Sequence, residues 1–213
     1  MHIAMRRHYN LRMAYFCVLT GDIVASTRLS ASELSAALDA IEGAAAVLRP
    51  ALGDAAFARN RGDGWQIAIT EPRYQARLAV LIEAELRALG EAFSTRIAIA
   101  EGDGTLPADG DLNGASGPVF TASGQLLDRL AGSRIAHAAG GALGAALRLF
   151  DHISEDWTPA QARAIAPMLR IKPPTQTAAA SEIGITRQSL SQALASAAYP
   201  AIVEALAMIE ETP

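Results

Sequence analysis

One cysteine, Cys17, stands among 213 residues. That excludes an internal disulfide framework and fits a reducing compartment. Its apolar neighbours assign it to the core rather than to thiol chemistry. Aromatic residues make up only 5% of the chain, so the core is expected from Leu, Ile, Val and Ala, with closely packed helices. No apolar run approaches the roughly 20 residues that span a bilayer. Met13–Leu19 follows Arg6, Arg7 and Arg12 as a signal peptide would, yet it meets Asp22 with no small-residue cleavage pattern. Residues 138–150 are short and interrupted by Arg148. These absences point to a soluble cytoplasmic protein with no membrane partner. Internal repeats and low-complexity linkers are also lacking, and a chain 51% hydrophobic and 19% charged is not a disordered one. His2, His8, His137 and His152 have no metal-ligand spacing, and neither a Walker loop nor a Ser/His/Asp set is present. The formal charge of −4 gives no general lean toward nucleic acid.

What is present alternates in period. Residues 14–20 (AYFCVLT) are β-rich, apolar and closed by Gly21-Asp22, the pattern of a buried strand. Met13 stands just before it, so residues 1–12 are expected to be an extension or a mis-assigned start. Ser32 is a candidate N-cap for a helix with Leu34, Leu38, Ile41, Ala45 and Leu48 on one face, stopped by Pro50. Residues 55–60 and 65–70 flank Arg61-Gly62-Asp63-Gly64 as a hairpin. A helix from Pro72 to Gly90 and a strand over 95–100 complete a β-α-β-β-α-β order, the split βαβ arrangement of ferredoxin-like domains. Residues 101–117 are rich in Gly, Asp and Pro and are expected to form a long loop. Helices are predicted near 118–131 and 142–156, and the rest reads as helical. The division expected is an α/β domain over 13–140 and an all-helical domain over 141–213.

In such a sheet the first and third strands are central neighbours, so the strand-end Asp22 and the hairpin Asp63 can meet at one edge. Two close carboxylates repel, and one of them needs a raised pKa or a cation between them. A divalent ion bound by oxygens, Mg²⁺ or Mn²⁺, is the economical answer, with phosphate oxygens completing its shell. Gly21, Ser26, Thr27, Gly62 and Gly64 are small enough to let backbone N–H groups approach an anion, and a helix start soon after Asp22 favours one. Ordinary turns are the alternative reading, since Thr-Gly-Asp and Arg-Gly-Asp-Gly are common turn sequences.

At these residues the chain resembles a known core. Phe16–Ser30 (FCVLTGDIVASTRLS), Asn60–Gln66 (NRGDGWQ) and Arg96–Glu101 (RIAIAE) look like the class III nucleotidyl cyclase core and, more closely, the SatD-like family that shares its motifs. The resemblance implies that Asp22 and Asp63 hold metal ions on a nucleoside triphosphate, with the backbone of Ile23–Thr27, Ser26 and Thr27 included, as the triphosphate cradle beside Gly62. Arg59 takes the place of the base-selecting Lys, three residues before Gly62. Cyclases also carry a G-x-x-V-N-x-A-x-R helix, and Gly117–Leu126 (GPVFTASGQL) falls on it with Thr121 at the Asn and Gln125 at the Arg. A neutral Gln cannot supply fixed charge to a developing phosphoryl anion. Losing one such group typically costs about two to three powers of ten in rate. Nucleotide or phosphate binding without turnover is therefore expected, with cyclase activity as the alternative. A helix merely packed on the sheet through Leu126, Leu127 and Leu130 explains 117–130 without any ligand.

The far end carries a second pattern. Thr158, Pro159 and Gln161 form a capping box after Trp157, and Pro167 limits that helix. From Gln176 the spacing fits a helix-turn-helix: Ala180 where two helices cross, Gly184 at the turn, and Ala179, Ile183, Ile185, Leu190 and Ala193 as its core. Thr186 caps the second helix, whose outward residues Arg187, Gln188, Ser189 and Gln192 are of the kind that read bases and phosphates. The SatD-like resemblance extends here through Asp156–Gln161 and Thr175–Leu194. Residues 151–213 hold four Lys/Arg against seven Asp/Glu, so one copy is expected to bind DNA weakly. A homodimer, or Arg163, Arg170 and Lys172 gathered on one side, would compensate. A helical hairpin used for packing or dimerisation is the rival. The combined expectation is a transcriptional regulator or DNA-binding switch whose degenerate cyclase-like domain binds a metal–phosphate ligand or mediates dimerisation.

Overall fold

The computed structural model describes residues 11–60, 62–130 and 134–211. The strands are β1 (Leu11–Ile23), β2 (Ala56–Arg59), β3 (Gly64–Ile69), β4 (Thr95–Pro107) and β5 (Ile135–His137). The helices are α1 (Ala31–Leu52), α2 (Gln75–Leu89), α3 (Pro118–Arg129), α4 (Gly141–Glu155), α5 (Pro159–Ile165), α6 (Gln176–Glu182), α7 (Arg187–Ser196) and α8 (Tyr199–Glu211). The five strands form one mixed α/β sheet in the order β2-β3-β1-β4-β5. The expected neighbours β1 and β3 pair antiparallel, and β5 adds a parallel edge beside β4.

Two strands are longer than their composition predicts. β1 starts at Leu11 and pairs with β4 as far as Pro107. The proposed extension therefore already contributes to the sheet at Leu11 and Arg12, and the rest of it lies outside the described residues, as do Arg61 of the hairpin and Ala131 beyond α3. Gly102–Pro107 pairs because residues 11–16 of β1 offer a continuous partner. The long loop shrinks to 108–117, with a 3₁₀ turn at Leu112–Gly114.

The start of α1 also differs. Its N-cap is Ser30, whose hydroxyl accepts from Glu33 N–H while the Glu33 carboxylate accepts from Ser30 N–H, a complete capping box. Pro50 lies inside the last turn instead of ending the helix. Leu48 and Leu52 are fully buried on either side of it, and burying such side chains, at about 1.5–3 kcal/mol each, offsets the lost backbone bond.

One continuous hydrophobic cluster covers one sheet face and runs on into the tail, joining Leu19, Ile67 and Ile99 to Trp157, Ile165, Leu190 and Leu206. α2 lies at its centre, buried from Gln75 to Ala84 without a polar face. A smaller cluster under α3 fills the other sheet face around Phe16, Val18 and Val119. There Val119 and Ser123 are the buried residues of α3, with Leu126, Leu127 and Leu130 only half-buried. In the tail, Trp157 Nε1 donates to the Ala197 carbonyl at 3.1 Å, tying α5 to the end of α7. The predicted capping box at Thr158 and Gln161 forms. Gly184 between α6 and α7 has φ +71°, a conformation that costs a side-chain-bearing residue energy. Ile185 is exposed rather than in the core; its N–H donates to Ala180 O at 2.9 Å and closes the turn. No single helix among the described residues is long and apolar enough to cross a membrane.

Candidate functional site

Sheet register assembles the site. Asp22 lies within β1, directly opposite Gly64 of β3 and Arg96 of β4. Arg96 donates from Nε to Asp22 Oδ1 at 2.8 Å and from Nη2 to Oδ2, a two-pronged grip. The hairpin turn folds back onto the end of β1 through Ile23 N–H donating to the Asp63 carbonyl at 3.2 Å. The Asp63 carboxylate then accepts a hydrogen bond from the Ser26 hydroxyl through Oδ2. A recess of about 350 Å³ opens here, walled by Asp22, Asp63, Arg96 and the segment Ile23, Val24, Ala25, Ser26 and Thr27.

The cation expected between two carboxylates is thus partly supplied by the chain itself. Arg96 is held charged by its bonds to Asp22 first, with Asp63 and Asp128 adding to the pull against partial burial. Arg96 is a site residue that the motifs alone do not mark. The signal was available, since it is the one charge in the strand TRIAIA and the split βαβ register puts it opposite Asp22.

The anion cradle is built differently from the expectation. The N-terminus of α1 is closed by its own capping box and does not serve the recess. Instead Ala25 adopts left-handed φ 52° and ψ 33°, followed by the 3₁₀ turn Ser26–Arg28. A left-handed residue beside right-handed ones turns successive N–H groups to one side, the geometry of an anion-binding nest. Such a conformation at alanine costs of the order of 1–3 kcal/mol. It is held by Val24 N–H to Ser94 O at 2.9 Å and Arg28 N–H to Ala25 O at 2.9 Å.

Gly21 is small for a reason other than ligand access. A Cβ there would collide with the Trp65 ring and the Arg96 carbonyl. Trp65 is fully buried, and its Nε1 donates to Thr95 Oγ1 at 2.9 Å while that hydroxyl donates to Asp22 O at 2.6 Å. The indole therefore buttresses the strand that carries Asp22.

The other expected ligand residues stand apart from the recess. Gly62 lies in the hairpin turn but not on its walls. Arg59 on β2 is gripped by Asp39 and Glu42 of α1 at 2.6 and 3.1 Å. Thr121 and Gln125 are exposed on α3, with Thr121 Oγ1 donating to Gly117 O at 3.4 Å. In the tail, Thr186, Arg187, Gln188, Ser189 and Gln192 are all exposed. The Thr186 hydroxyl accepts from Ser189 N–H at 3.1 Å and the two hydroxyls bond to each other at 2.8 Å. Of Arg163, Arg170 and Lys172, two are engaged within the chain: Arg163 donates to Ala88 O at the end of α2, and Arg170 is paired with Glu182.

The donor set decides which metal fits. No group of three or more His, Cys, Asp or Glu able to hold a metal ion occurs among the described residues. Two carboxylates beside an arginine cannot cage an ion alone, but they fit a hard divalent cation that arrives with phosphate oxygens.

No protein-family model matches the chain, and no curated protein does. Solved structures that the chain matches in part include a bacterial light-regulated adenylyl cyclase (15% identity, TM-score 0.43, covering 61% of this chain and 44% of that one). The chain thus spans under half the length of that protein. Others are the adenylyl cyclase from P. aeruginosa (16%, 0.46, 60% and 78%) and the monomeric guanylyl cyclase domain from the aquatic fungus Blastocladiella emersonii (20%, 0.45, 60% and 82%).

Proposed function

We propose that the chain binds a nucleoside triphosphate together with Mg²⁺ or Mn²⁺ in the Asp22/Asp63/Arg96 recess, and that this binding informs a DNA-contacting helix-turn-helix formed by α6 and α7. The observation that carries the reading is the grip of Arg96 on Asp22 beside Asp63, over a left-handed turn of backbone N–H groups. Asp22 and Asp63 would hold the cation, which neutralises polyphosphate charge when bound. Ile23–Thr27 would donate backbone N–H groups to phosphate oxygens. Arg96 can exchange the paired oxygens of a carboxylate for those of a phosphate, since a guanidinium fork suits both. Binding is favoured over turnover because Thr121 and Gln125 are neutral and stand away from the recess.

A second reading, a metal-dependent nucleotidyl cyclase, is favoured by Arg96 itself, a fixed positive charge inside the recess. Equilibrium dialysis of each nucleoside triphosphate with and without Mn²⁺, coupled to a pyrophosphate assay, separates the two. Retained nucleotide without steady pyrophosphate supports the first reading, and steady pyrophosphate supports the second. Retention that is unchanged in Asp22→Asn and Asp63→Asn ends both.

DNA contact rests on the exposed polar face of α7. Arg187 is the one cation of that helix, so the reading requires two copies of the chain on one site. A homodimer would present both recognition helices.

A further inference from the structure

A second cavity lies away from the recess, between the last helix, the start of α4 and the segment leading into α2. Its volume is about 820 Å³, within the range of small-molecule sites. Glu71, Pro72, Arg73 and Gln75 enter from the start of α2, Glu101 from β4, Ala142 and Leu143 from α4, and Met208 and Ile209 from α8. The wall supplied by α8 is fixed. Arg77, on α2, donates from Nε and Nη2 to Glu210 at 2.6 and 2.9 Å and from Nη1 to Leu169 O at 3.2 Å, all with little exposure.

Polar groups converge on one carboxylate in this wall. Gln75 is buried; the Cys17 thiol donates to its Oε1 at 3.6 Å, which leaves its Nε2 to donate to Glu101 Oε1 at 2.6 Å. The Tyr15 hydroxyl donates to Glu101 Oε2 at 3.3 Å. His137, its side chain 4% exposed, places Nε2 3.4 Å from Glu101 Oε1. At that separation Nε2 is not aligned for a full hydrogen bond. His137, then Gln75 and Tyr15, hold the Glu101 carboxyl below its ordinary value against partial burial. It is therefore an anion at neutral pH. The other charges in the wall, Glu71 and Arg73, lie 3.4 Å apart and offset each other, and Arg73 also covers the Tyr74 ring.

We infer that this cavity is a binding site for a small organic cation, an amine on an apolar body, with Glu101 as its counter-ion and Leu143, Met208 and Ile209 as its apolar wall. A carboxylate at the edge of an apolar space gains from a cation more than from a neutral group, since low local dielectric strengthens the pair. Because the ligand would touch both β4 and α8, its binding would also tighten the tail against the sheet.

The test uses the full chain and three matched probes, phenethylamine, 2-phenylethanol and 3-phenylpropionate, followed by thermal shift and calorimetry. Phenethylamine is expected to bind with a millimolar or tighter Kd and to raise the melting temperature, and the alcohol and the acid to bind about tenfold more weakly or not at all. Glu101→Gln should abolish the preference for the amine. Met208→Trp, at a position 62% exposed and so tolerant of a larger side chain, should block all three probes while leaving the circular dichroism spectrum unchanged. Equal binding of amine and alcohol, no binding of any probe, or amine binding that survives Met208→Trp overturns the inference. The nucleotide site is not involved in any of these readouts, so the two proposals stand or fall separately.

Discussion

Single residues set the steepest penalties where a strand has no room and where a charge has no water. At Gly21 a methyl group meets the Trp65 ring on one side and the Arg96 carbonyl on the other. Gly21→Ala is expected to destabilise by at least the 1–3 kcal/mol usual for overpacking, read as a lower urea midpoint with a shifted tryptophan emission. Glu83 on α2 is fully enclosed, with Arg134 at 3.1 Å, and Arg134 in turn lies 3.3 Å from Asp151. Burial, opposed by Arg134 and reinforced by Asp151, pushes the Glu83 carboxyl up to about 7. The unfolded chain releases this proton near pH 4.3, whereas the folded chain keeps it to about pH 7. This contribution to stability is thus full below the lower value and is lost as the pH rises through the upper one. Melting temperatures of the wild type and Glu83→Gln should diverge across that window, the variant losing less. Parallel curves would remove Glu83 from the account.

Elements are held by a few contacts that can be cut singly. Ser30→Ala removes the cap of α1 and is expected to cost about 1 kcal/mol by urea denaturation. Arg77 and Glu210 fasten α8 with both side chains largely enclosed. Removing either alone should cost about 3–5 kcal/mol, and removing both, as Arg77→Met with Glu210→Leu, less. A double variant as unstable as the sum of the singles would contradict this. Periodicity announced most of these elements, and the Thr158 capping box formed as its spacing predicts. What periodicity missed was decided at a distance. Gly102-Asp103-Gly104 has loop composition, yet it pairs because residues 14–16 of β1 lie opposite. β5 has three residues and exists only as the partner of β4. The Ser30–Glu33 box is written in the sequence, and Ser32, two residues on, offers a competing cap without the Glu three positions later. Asp22 and Asp63 were legible as neighbours because the strand order follows from the order of elements. Arg96 became a site residue only once register put it across from Asp22.

At the scale of the molecule, a single core runs from the sheet into the tail. One cooperative unfolding transition is therefore expected. Trp65 reports on the sheet and Trp157 on the tail, so Trp65→Phe and Trp157→Phe should unfold along coincident curves by fluorescence when each is scaled to its own circular dichroism. Two separated transitions would show that the tail opens independently. With Arg163 and Arg170 engaged within the protein, DNA affinity should be weak for one copy and fall with added salt. The nucleotide-binding proposal depends on the recess, and its most direct test is the anisotropy of a fluorescent ATP analogue followed against Mn²⁺ concentration. Wild-type protein is predicted to bind the nucleotide only with the cation present, and Asp63→Asn to need about tenfold more Mn²⁺ or to fail. Superimposable curves for the two proteins, or binding indifferent to Mn²⁺, would contradict it.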